Sequence, residues 1–93
     1  MKTIVFFPVV GSFGEDKDAA RDVRLRVIVP ALEAGENLIL DFKKVDSITQ
    51  SFCHALLSDL IRNYGIDVLD RISFANCTDE VKGIIEIVTE YMQ

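Results

Sequence analysis

Three short apolar runs, each followed by a stretch of helical periodicity, constrain the fold of this chain more than anything else in it. The first run, residues 3–9, is rich in β-branched and aromatic side chains and reads as a strand covered on both faces. Gly11, Ser12, Phe13 and Gly14 break it as a tight turn, and Glu15, Asp16 and Asp18 supply the acids that favour a helix start. A helix is predicted over residues 17–34, where Ala20, Val23, Val27 and Ala31 recur at helical spacing. Lys17, Arg21 and Arg24 line another side and read as a solvated basic stripe. Pro30 removes one helical hydrogen bond, which predicts a kink or an early end, and Gly35 is a stop.

Residues 38–42 form the second predicted strand, and residues 50–63 the second helix. Phe52, Leu56, Leu57, Leu60 and Ile61 give that helix a wide apolar face and leave Ser51, His54, Ser58 and Arg62 on a narrow polar stripe. The third strand is predicted over residues 71–76. Thr78 then caps a third helix with Asp79 and Glu80 in its first turn and Val81, Ile84, Ile85, Val88 and Met92 on one side. Such alternation requires crossovers, and right-handed crossovers build a mainly parallel or mixed sheet with helices packed on it. The expectation is one small α/β domain spanning residues 1–93. Three strands are thin, so a further short strand near residues 10–13, or a homodimer that extends the sheet, is expected to complete it.

Composition removes several functions. Net charge is −5, which argues against nucleic acid as a partner, because that needs a basic footprint. No apolar run approaches the ~20 residues of a membrane span, and the Lys2-led N-terminus is a poor secretory signal, so a cytoplasmic protein is expected. Cys53, Cys77 and the single His54 assemble no metal set, and residues 11–14 match neither phosphate-loop pattern, so no metal and no cofactor are expected. Ser51 and His54 share a helix face. A nucleophile also needs an orienting acid and an oxyanion hole, however, and Asp59 lies elsewhere on the helix. No catalytic residue is expected, and the protein does not read as an enzyme.

What remains is the polar turn at the carboxyl edge of the second strand, where sites in open α/β sheets usually lie. Asp46, Ser47, Thr49, Gln50, Ser51 and His54 are the candidates for docking a protein partner, flanked by Lys43 and Lys44. Thr49 and Ser51 stand at a helix start, where a hydroxyl is an ordinary cap and where a phosphate would also be favoured. The alternative is a small-ligand crevice for a nucleotide or another anion, lined by Asp41, Ser47, Thr49, Ser51 and Asn76.

The run Leu40-Asp41-Phe42-Lys43-Lys44-Val45, followed by Ile48-Thr49-Gln50-Ser51-Phe52 and Leu56-Leu57, resembles the STAS-like family of uncharacterised prokaryotic proteins. Ile72-Ser73-Phe74-Ala75-Asn76, with Val81-Lys82 and Ile85, fits the same family, so that the resemblance spans about residues 31–91. The family is similar in turn to the STAS domains of anti-sigma factor antagonists. That resemblance implies a small α/β regulatory module without catalysis, whose partner is a histidine-kinase-like ATPase. In the antagonists a Ser or Thr at the corresponding helix start is phosphorylated; here that position falls on Gln50, which cannot be, and Thr49 and Ser51 flank it.

Overall fold

In the second half of the chain, the elements follow the apolar spacing closely. The first half departs from it in three places, each with a local cause. The computed structural model describes residues 1–92. It gives β1 (Lys2–Val5), α1 (Phe7–Val10), β2 (Phe13–Gly14), α2 (Lys17–Val23), a π-helical turn (Arg24–Ile28) and α3 (Val29–Glu33). There follow β3 (Leu38–Asp41), β4 (Ser47–Ile48), α4 (Gln50–Tyr64), a 3₁₀ stretch (Ile66–Arg71), β5 (Ile72–Ala75) and α5 (Asp79–Tyr91). β1, β3 and β5 make a parallel three-stranded sheet with β3 in the centre, and β2 and β4 make a parallel two-stranded ladder. The α/β class expected from the alternation holds, with every strand pair parallel.

The first strand ends at Val5 rather than at residue 9. Pro8 falls in the first turn of α1, where its missing N–H has no intrahelical partner to lose. Gly11 then closes the turn with φ of 70°. A further short strand does form, at Phe13–Gly14 rather than residues 10–13, but it lies outside the three-stranded sheet it was expected to complete. It pairs with Ser47–Ile48, a segment whose sequence reads as a polar loop.

The long helix runs on past Val23, but with a π-turn in it. Val29 N–H reaches back five residues to the Arg24 carbonyl just before Pro30, so the expected kink is realised as a widened turn. Gly35, at φ 79°, ends α3. Its N–H bonds the Leu32 carbonyl at 3.0 Å, and Glu36 N–H bonds Ala31 at 2.9 Å, the paired bonds of a glycine-terminated helix. Arg24 corrects the solvated stripe. It is only 8% exposed, donates to the Ala55 carbonyl at 2.5 Å and pairs with Asp59 at 3.1 Å. Ser58, expected on the polar stripe of α4, is also buried.

Alternate residues of the sheet differ sharply in exposure. Ile4, Leu38, Leu40 and Ile72 are buried under the helices. On the other face the register places Thr3, Ile39 and Ser73 in one row and Val5, Asp41 and Ala75 in the next, all exposed or half-buried. The order β1-β3-β5 advances in one direction, so two right-handed crossovers lay their helices on the same face. β1 is therefore covered on one face only, against the expectation of two: Val5 is 47% exposed.

Three buried rings hold the strand ends to the start of α4. Phe6, just after β1, stacks on Phe42, just after β3, with centroids 4.6 Å apart, and meets the edge of Phe52 in α4 at 6.3 Å. All three are fully buried, so each contributes a full aromatic transfer term of roughly 2–3 kcal/mol. This cluster is what positions the first turn of α4 over the sheet.

Candidate docking surface

The turn between β3 and α4 is held by a series of backbone bonds. Phe42 N–H donates to the Ala75 carbonyl at 2.9 Å, and Val45 N–H closes a turn on the Phe42 carbonyl at 2.9 Å, with Lys44 at φ 70° between them. Asp46 N–H donates to the Ser12 carbonyl at 2.7 Å, and Thr49 N–H to that of Gly14 at 2.9 Å. The hydroxyl of Thr78 donates to the Asp46 carbonyl at 2.8 Å and accepts from Val81 N–H at 3.1 Å, so one residue both straps the turn and caps α5. Gly14 permits the close approach: a Cβ there would lie 2.9 Å from Ile48 Cγ2 and 3.6 Å from the Phe52 ring.

On this frame Asp46, Gln50, Ser51 and His54 are exposed, while Ser47 and Thr49 are half-buried. Thr49 Oγ1 accepts from Phe52 N–H at 3.0 Å, so its hydroxyl is committed to capping α4. The Ser51 hydroxyl has no hydrogen-bond partner among the described residues. Ser51, Gln50 and His54 open onto a cleft of about 440 Å³, whose other lining residues are Lys17, Ala55, Ile87, Val88 and Tyr91. Ile87 and Tyr91 are 50% and 85% exposed. Sequence reasoning missed this second wall. The available signal was Ile87, an aliphatic residue just off the apolar stripe of α5.

The residues of the ligand crevice do not share one site. Asp41 Oδ1 accepts from Asn76 Nδ2 at 2.9 Å and from Lys43 N–H at 3.0 Å. These two bonds, the Asn76 amide first, hold the Asp41 carboxyl below its usual range. Ser51 faces the α4–α5 cleft, whose lining includes neither Asp41 nor Asn76. Ser47 lies in the β2–β4 ladder.

Asp59, the acid on α4, is engaged by Arg24 and Arg62 rather than by His54. Burial pushes the Cys53 thiol up to about 12, and burial, then the Asp41 charge, raises Cys77, so neither offers a ready thiolate. Among the described residues no three His, Cys, Asp or Glu side chains gather as a metal site, and no helix is long and apolar enough to cross a membrane.

A family profile described as a STAS-like domain of unknown function (DUF4325) matches residues 19–82. The chain belongs to that STAS-like family. The STAS-like match takes in residues 41–76, and with them every candidate named from the sequence, and ends in the first turn of α5. Lys17, Ile87, Val88 and Tyr91 therefore lie outside the matched STAS-like span. No curated protein and no solved structure matches this STAS-like chain.

Proposed function

We propose that this STAS-like domain is a non-catalytic cytoplasmic regulator that docks a protein partner through residues 43–54. The observation that carries the reading is the exposure of Gln50, Ser51 and His54 on the first turns of α4, beside a cleft walled by Ile87, Val88 and Tyr91. Polar groups at the rim and apolar side chains in the wall are the usual make-up of a protein contact. The strapped turn adds pre-organisation, so little ordering is left to be done on binding. The resemblance to anti-sigma factor antagonists read from the sequence motif is the ground for proposing a histidine-kinase-like ATPase as the partner. Of the two hydroxyls, Ser51 is the better phosphate acceptor, because Thr49 is spent on its cap. A phosphate on Ser51 would sit in the first turn of a 15-residue helix, where the dipole favours it, with Lys17 lining the same cleft.

The small-ligand reading has less support. Asp41 and Asn76 satisfy each other, and Thr49 and Ser51 face different tasks.

A photo-crosslinking side chain in place of His54, introduced in the protein's own cells, tests the docking reading. The same group at exposed Asn63, at the far end of α4, is the control. The expected result is a defined protein adduct from position 54 that is missing from position 63. Equal adducts at both positions, or none at 54, would overturn the reading. Mass spectrometry of the same protein expects phosphate on Ser51 and none on Thr49; finding both always bare removes the phosphate step while leaving the docking surface.

A further inference from the structure

We propose that β1 is the contact strand of a homodimer, in which two copies pair antiparallel about Ile4 and join their three-stranded sheets into one of six strands. β1 lies at the edge of the sheet. Lys2 N–H bonds the Asn37 carbonyl at 2.9 Å and Phe6 N–H bonds that of Asp41 at 3.0 Å, which fixes the phase of the strand. The even residues turn their backbone groups to β3, and Thr3 and Val5 turn theirs outward, where they have no partner among the described residues. Such an edge is a template for another strand, and proteins usually blunt it with a charge, a proline or a bulge. Within β1 the one such device is the exposed Lys2, whose own backbone faces β3; Thr3 and Val5, whose groups face outward, carry none. Both residues and the Ile4 between them are β-branched, a composition that favours pairing.

The occupant follows from the register. Pairing Thr3 of one copy with Val5 of the second, twice over, is the only self-pairing that uses both free residues within β1. It forms four N–H···O=C bonds, keeps Thr3 and Val5 on the open face, and obeys two-fold symmetry with Ile4 at the axis. The same register brings Met1, 77% exposed, toward Phe7 of the second copy, 37% exposed, so two uncovered apolar side chains shield each other. A contact this small falls short of the ~800 Å² per partner of a standard interface, so the dimer is concentration-dependent. None of the β1 residues lines the α4–α5 cleft, and the inference is independent of the docking reading.

Sedimentation of the whole chain from roughly 10 µM to 1 mM tests it. The wild type is expected to pass from one monomer mass to two over that range. Thr3→Lys with Val5→Lys sets like charges opposite each other at both pairs and is expected to weaken association roughly tenfold. Thr3→Lys with Val5→Glu sets opposite charges there and is expected to keep the dimer. A wild type that stays monomeric throughout overturns the proposal, as does a dimer indifferent to the two lysines. A Lys/Glu variant as weak as the Lys/Lys one overturns the register. Circular dichroism checks that both variants fold. Should either not, amide exchange on the wild type decides: Thr3 and Val5 amides gain protection with concentration, or the pairing is wrong.

Discussion

Thr49 and Ser51 look interchangeable as residues, two hydroxyls flanking the start of one helix, and the structure gives them different duties. Thr49→Ala should cost about 1 kcal/mol, because Phe52 N–H loses its acceptor, whereas Ser51→Ala should stay within about 0.5 kcal/mol. Urea unfolding of both variants checks the contrast. Gly14→Ala should be worse, roughly 1–3 kcal/mol, since the new methyl meets Ile48 Cγ2, which branches next to the backbone and cannot swing away. For Asp41 the sign follows from its partners. Asn76 and Lys43 N–H lower its pKa in the folded state, so its contribution is present above the unfolded pKa and lost as pH falls through the folded one. The stability gap between wild type and Asp41→Asn should therefore shrink on acidification from about pH 5 to about pH 2, followed by thermal melts. At this scale the caps were legible from sequence, because a cap is a local pattern of three or four residues. Arg24 was not: its burial depends on Ala55 and Asp59, both on α4, and no spacing within α2 announces them.

Among the elements, α4 was legible almost to the residue, since a hydroxyl cap, an apolar stripe and Gly65 at its end agree, and α5 starts where its Thr78 cap and stripe predict. The first strand was overextended because a seven-residue apolar run does not distinguish a strand from a strand followed by one helical turn. β4, the partner of β2, escaped notice for a related reason: two-residue strands carry no period. The β2–β4 ladder and Thr78 decide the shape of the docking turn, and the strap can be tested. Thr78→Val removes the cap on Val81 N–H and the bond to the Asp46 carbonyl together. It should lower stability by about 1–2 kcal/mol and speed amide exchange at Asp46 and Thr49, with the β3 amides changed only as much as global stability requires. If Asp46 and Thr49 exchange no faster than β3, the strap does not hold the turn.

Across the whole molecule, the property that matters most is the one-sided sheet, which follows from strand order and crossover handedness rather than from any residue. The sequence did not reveal it because Thr3-Ile4-Val5 and Leu38-Ile39-Leu40 are apolar or β-branched on both faces, as buried strands usually are. One-sidedness makes a sharp prediction within three residues of β3. Leu40 is fully buried and Ile39, its neighbour on the open face, is only half so. Leu40→Ala should cost about 2–5 kcal/mol in transfer and cavity terms. A domain of this size has roughly 5–15 kcal/mol in total, so that variant gives up a large share of its stability. Ile39→Ala leaves no enclosed cavity and should cost about 1 kcal/mol or a little more. Urea unfolding of the two, at a concentration low enough to keep the chain monomeric, measures the ratio. Near-equal losses would mean that the second face is packed in solution as tightly as the first, and both the open sheet and the exposed strand edge beside it would have to be given up.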